Sequence, residues 1–234
     1  MRTKLKNQKY FENYLELNNE DIEFYLQGLN SGETAKDRIP AVRRQIFTTS
    51  LHSVIAKYSA GFPIEEMKSD FTQVIGNLND GWQNDNSAIS FDNYVLMLWM
   101  LSLGRLLEID KNEFSKIVEV LDRSKRSDRI YDLIISDVLK DREISQNILF
   151  ESQFGFLLEL FETRNIAVLQ SNLEKAWYGN MKLAYWYDND KNKNDVFFGY
   201  WSFESGAIVK ILRMDDSSMK NQQYYPYDLV HWKD

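Results

Sequence analysis

Apolar residues return at helical spacing in almost every stretch of this chain, and that periodicity restricts it to a fold of packed amphipathic helices. Ile22, Tyr25, Leu26 and Leu29 stand at i, i+3, i+4 and i+7, and Phe47, Leu51, Val54, Ile55 and Tyr58 extend the pattern by a turn. Ile64, Met67, Phe71, Val74 and Leu78 repeat it, followed by Phe114, Ile117, Val118 and Leu121, by Tyr131, Ile134, Ile135 and Val138, and by Ile166, Leu169, Leu173, Ala176 and Trp177. Strict alternation over a strand's length is absent from these stretches. Three prolines and ten glycines are few for a chain of tight β-turns. Helix stops fall at Asn30-Ser31-Gly32, at Gly61-Phe62-Pro63, along the polar run from Asn77 to Ser90, and from Asp188 to Asp195. The expectation is an all-α multi-helix bundle of about eight or nine helices.

A chain of 234 residues is long enough to bury a core without covalent staples. It has no cysteine, which excludes a disulfide framework, a thiolate zinc site and a cysteine nucleophile. His52 and His231 are the only imidazoles, so neither a metal nor another cofactor is expected. Four cations between Met1 and Lys9 lead into no apolar core, which argues against a signal peptide and for the cytoplasm. The most apolar run, Tyr94 to Leu101, falls short of the ~18 residues a membrane span needs, and reads as a helix buried on all sides. Neither Asn79 to Ser90 nor Asp188 to Asp195 resembles a flexible linker. An N-terminal half, 1–115, and a C-terminal half, 116–234, are therefore expected to pack as one continuous body.

Few residues suggest chemistry. Asp188-Asn189-Asp190-Lys191-Asn192-Lys193-Asn194 begins like a calcium loop, but Lys193 stands where the turn wants glycine and Gly199 where a bidentate Glu should close the cage. No nucleophile elbow frames a Ser, His and Asp set, and His52 and His231 read as packing residues. The most unusual element is Val196 to Leu212, where Phe197, Tyr200, Trp201, Ile208 and Ile211 form a helical stripe that also contains Glu204. A carboxylate on an apolar face must be paired, multiply hydrogen-bonded or protonated. An Arg, a Tyr hydroxyl or backbone amides are the expected partners. Gly199, Ser202, Ser205, Gly206 and Ala207 remove bulk beside it, so that another backbone can approach. Asp215-Asp216-Ser217-Ser218 then reads as a helix cap, and Tyr224 to Trp232 as an extended aromatic strap across the bundle.

At these residues the chain resembles a family. Gly199 to Trp232 is similar to the C-terminal signature of the PoNe immunity protein (PoNi) family, through Tyr200, Trp201 and Glu204, then Asp215 and Asp216, then Tyr225, Pro226, Tyr227 and Asp228 in order. Agreement extends more weakly through Phe154 to Glu162 and Trp177-Tyr178. In the N-terminal half only length and helical pattern agree. Ser205-Gly206 departs from the alanines the pattern leads one to expect. The resemblance implies a non-catalytic cytoplasmic antidote to a polymorphic DNase toxin of the PD-(D/E)xK superfamily, with the signature residues themselves in packing roles.

The charge pattern bears on how such an antidote works. A net charge of −7 is wrong for a protein that neutralises phosphates, so direct nucleic-acid binding is not expected. Residues 61–110 carry two basic and eight acidic groups, which places −6 of the −7 in that segment. A nuclease cleft is cationic, and a blocking protein does best with carboxylates where phosphates would lie. Glu65, Glu66, Asp70, Asp80, Asp85 and Asp92, with Trp82 as an aromatic anchor, are the expected toxin-facing set. Two rivals are left open: a non-catalytic helical scaffold or adaptor, and a hydrolase using Glu204 with His52 or His231. Self-association as a homodimer is open as well.

Overall fold

The computed structural model describes residues 1–84 and 89–233. The described residues are all-α, with eleven α-helices and no strand. Two of the eleven, Trp177–Asn180 and Tyr227–Val230, are single turns, which leaves nine longer helices as the apolar periodicity predicts. Contacts divide the chain into two compact units. One is Met1–Asn84 with Asp188–Gly199; the other takes the remaining described residues up to Tyr187 and the segment from Tyr200. The helix Phe91–Leu106 packs mainly with Phe203–Leu212.

The first unit contains α1 (Gln8–Ser31), α2 (Ile39–Ala60) and α3 (Ile64–Gly81), with α2 packed on both neighbours. Asn7 caps α1 by accepting the Tyr10 N–H at 2.9 Å, and Gly32 ends it in the left-handed conformation that glycine adopts most readily. The apolar faces of α2 and α3 close on each other through Phe47, Leu51, Val54, Met67, Phe71 and Leu78. The segment Asp188–Gly199 is stitched to this core by two hydroxyls. Tyr10 donates to the Phe197 carbonyl at 3.0 Å and accepts its N–H at 2.8 Å, and Ser59 donates to the Phe198 carbonyl at 2.7 Å.

The second unit is built round α4 (Phe91–Leu106), of whose 16 residues 14 are buried. The run from Tyr94 to Leu101 is thus a core helix enclosed by protein, and no described helix is long and apolar enough to cross a membrane. Around α4 lie α5 (Lys111–Arg123), α6 (Arg129–Val138), α7 (Glu151–Thr163), α8 (Ile166–Lys175), α9 (Trp177–Asn180), α10 (Phe203–Leu212) and α11 (Tyr227–Val230). Asp110 and Asp128 cap α5 and α6. Asp128 is fully enclosed. Its two oxygens accept the N–H groups of Ile130, Tyr131 and Leu149 and the Tyr94 hydroxyl, at 2.8 to 3.2 Å. A buried carboxylate is tolerated when its lone pairs are filled in this way.

The helix expected to carry Phe197 to Ile211 as one stripe starts only at Phe203. Gly199 takes φ 131°, outside the helical range, and the chain from Val196 to Ser202 stays irregular. The C-terminal strap is also mostly irregular, but Pro226 precedes a helical turn in α11. Proline is tolerated there because the first N–H groups of a helix have no partner to lose.

Candidate functional site

The acidic residues expected to face a toxin do not form one cluster. Glu65 and Glu66 lie side by side in the first turn of α3, both exposed. Asp70, one turn on, is held by Lys57 at 2.5 Å. Asp80, at the far end of α3, pairs with Arg43 at 3.2 Å. Trp82 caps that end, edge-on to Phe47 with the Arg44 guanidinium 5.3 Å over its ring. Asp92 lies in the other unit, in the first turn of α4, where it accepts the Tyr185 N–H at 2.9 Å. Asp85 falls outside the described residues.

Geometry decides how these charges act. Fifteen residues of helix separate Glu65 from Asp80, about 22 Å at ~1.5 Å per residue. That exceeds two Debye lengths at physiological salt, roughly 8 Å each. The two ends of α3 are therefore separate electrostatically, and at the second end cations already answer the acid. The negative pole on α3 is Glu65 with Glu66, flanked by the half-compensated Asp70.

The signature residues gather in the second unit as a network. Glu204, 1% exposed, accepts the Trp177 indole N–H at 2.9 Å and the Ser202 hydroxyl at 2.6 Å on the same oxygen. Of the expected Arg, Tyr hydroxyl or backbone amides, a backbone amide, its own N–H, is present, and an indole and a serine hydroxyl supply the rest. Burial pushes its pKa up against the hydrogen bonds from Ser202, its own N–H and Trp177, which pull it down. Asp216, also buried, accepts the Tyr225 hydroxyl at 2.5 Å and meets His231 Nε2 at 2.7 Å. Asp215 accepts the Ser217 N–H at 3.0 Å, and this bond holds its carboxyl below the usual range.

The rings of the signature pack, tilted against their neighbours, onward from these polar anchors. Tyr200 meets Tyr178 at 4.9 Å and Trp186 at 5.6 Å, and Tyr227 meets His231 at 4.4 Å. Trp201 is buried and Asp228 exposed. Pro226 lies on Gly206, where an added Cβ would stand 2.7 Å from Pro226 Cγ, so the missing side chain at Gly206 makes room for the side chains of the strap. Lys210 then ties the strap down, donating to the Val230 carbonyl at 2.7 Å and pairing with Glu108 at 3.3 Å. Glu204 and His231 are thus each engaged in separate polar contacts. His52 lies in the other unit, its ring flat on Phe198. In the segment read against a calcium loop, Asp188 pairs with Lys191 at 2.9 Å and Asn189 donates to the Val196 carbonyl.

One surface was hidden from the sequence by averaging. Residues 1–60 are net basic, yet between Glu12 and Ser31 stand five carboxylates and no cation. Those acids lie on α1, together with exposed Leu17, Phe24 and Leu26. A count in short windows would have found it.

Both halves of the chain match known families. Residues 2–119 match the family model described as PoNe immunity protein (PoNi), N-terminal, including the half in which length and helical pattern alone carried the resemblance. Residues 126–229 match PoNe immunity proteins (PoNi), C-terminal. No curated protein matches by sequence. Among solved structures, the crystal structure of protein PA2201 from Pseudomonas aeruginosa has a TM-score of 0.72 over 99% of this chain and 89% of that chain, at 15% identity, a likeness of fold.

Proposed function

The chain belongs to the PoNe immunity protein family, the antidotes to PoNe nuclease toxins, and we propose that it disarms its cognate toxin by binding alone, with carboxylates set against the toxin's DNA cleft. The observation that carries the antidote reading is the pair of family matches, which together run from residue 2 to residue 229. The toxin is read as a DNase of the PD-(D/E)xK type, neutralised in the cytoplasm. The chain itself contributes no catalytic step.

The acidic pole at the start of α3 supports the mechanism. Glu65 and Glu66 are exposed neighbours, and among the described residues neither makes an ion pair. Two carboxylates one residue apart can meet two phosphate-binding cations, and a field of this sign accelerates encounter with a cationic cleft. Asp70 adds to the pole when its bond to Lys57 opens. Asp80 and Trp82 would contribute separately, from the other end of the helix.

The test is charge reversal at one pole. Glu65→Lys, Glu66→Lys and Asp70→Lys together should slow association with the toxin by about tenfold or more at low salt, with the difference shrinking as salt rises. Equal association rates at low salt would remove α3 from the mechanism. A short duplex should compete with the protein for the toxin. A ternary complex with bound duplex would place the contact away from the cleft.

A further inference from the structure

The helical arm from Glu16 to Gln45 contains no fully buried residue, although helices run through most of it. α1 is buried only at Phe11, Tyr14 and Leu15, so its last 16 residues, about 24 Å of helix, lie on α2 through half-buried side chains. Asn18, Ile22, Tyr25 and Leu29 form that inner line. On the opposite side Leu17, Glu20, Asp21 and Phe24 stand at i, i+3, i+4 and i+7, one continuous stripe. Leu17 is 52% exposed and Phe24 69%. Beside Phe24 a shallow pocket opens between Tyr25, Gly28, Thr34 and Val42.

A single exposed apolar side chain is ordinary. An aromatic and an aliphatic residue sharing one helix face, beside a pocket and bordered by carboxylates, form the pattern of an anchor with a charged rim. We infer that this outer face of α1 is a docking surface for the nuclease toxin, with Phe24 and Leu17 seated against apolar side chains and Glu16, Glu20, Asp21 and Glu23 meeting surrounding cations. The inference rests on the reading that the chain binds a nuclease toxin, and adds a second contact to the pole on α3.

Charge selects this occupant. The stretch from Glu12 to Ser31 holds five acids and no base, and none of the five forms an ion pair within the described residues. An anionic membrane surface or a nucleic acid is repelled by such a face. A second copy docked across a two-fold axis would set these acids against themselves. A protein that grips DNA has the opposite sign.

The experiment uses the full chain and the cognate toxin's nuclease domain, inactivated by mutation. Binding is compared for wild type, Phe24→Ala, and Glu20→Lys with Asp21→Lys, with helicity checked by circular dichroism. Phe24→Ala should weaken Kd at least tenfold, mainly through faster dissociation. The charge pair should slow association in a salt-dependent way. If wild type binds and both variants bind equally well, the α1 surface is wrong and the antidote reading stands. If wild type does not bind the toxin, the antidote reading itself fails. If Phe24→Ala converts a wild-type dimer to monomer while toxin affinity is unchanged, the face belongs to self-association and the inference is overturned.

Discussion

The ring of His52 lies flat on Phe198, 4.1 Å between centroids, and desolvation, helped by the nearby Arg44 charge, pushes its pKa down to about 3. An unfolded histidine titrates near 6.5. Between about 6.5 and about 3 the unfolded chain binds a proton that the folded chain refuses, so this contribution to stability is complete above that window and lost as pH falls through it. His52→Phe keeps the stack and removes the proton. Urea midpoints at pH 7.5 and pH 5 should show wild type losing more than the variant, and a difference independent of pH would contradict the neutral histidine. Glu204 has the opposite sign: burial raises its pKa, so its charge costs stability progressively as pH rises above the ordinary carboxylate value. Glu204→Gln should gain on wild type between pH 4 and pH 7 and protect cells from the toxin equally well. Loss of protection with the fold intact would give this carboxylate a role beyond packing. The helical period placed Glu204 inside the protein, but Trp177, 27 residues earlier, was beyond its reach because the partner is set by how α9 and α10 meet.

At the scale of an element, α10 and its strap depend on missing volume. Replacing Gly206 by alanine should help an isolated helix by about 1 kcal/mol. In the folded chain the new methyl would lie 2.7 Å from Pro226 Cγ and 3.1 Å from Val230 Cγ2, and overpacking of this kind costs about 1–3 kcal/mol. The clash should win. Gly206→Ala is predicted to lower Tm by about 2–4 °C per kcal/mol lost and to expose the strap to proteolysis. A higher Tm would show that the strap moves aside without cost. Most helices were legible because a buried face imposes its period on the sequence, and that period extends through α2, α3, α5 and α6. The start of α10 was not, since Phe197, Tyr200 and Trp201 fit a helical stripe while an irregular segment also buries them, and only the backbone at Gly199 distinguishes the two. α1 posed the reverse problem. Ile22, Tyr25 and Leu29 mark the face laid on α2, and nothing in a period reveals that the opposite face carries an exposed Phe24.

At the scale of the molecule, the absence of cysteine was enough to set aside thiol chemistry, whereas the placement of charge was not legible. Segment sums put the acid in residues 61–110, but folding gives Asp70 and Asp80 cations from α2 and puts Asp92 in the other unit. Among the described residues of the first unit, Glu65 and Glu66 on α3 and the acids on the outer face of α1 stand without an ion pair. Two such surfaces predict tight, salt-sensitive capture, with affinity falling as ionic strength rises because the charges are exposed. The most direct measurement is a titration of the cognate toxin's DNA cleavage with the purified full-length chain, followed at physiological salt. Cleavage should fall linearly and reach zero near one equivalent of protein. Cleavage that persists in the presence of excess protein would contradict neutralisation by binding.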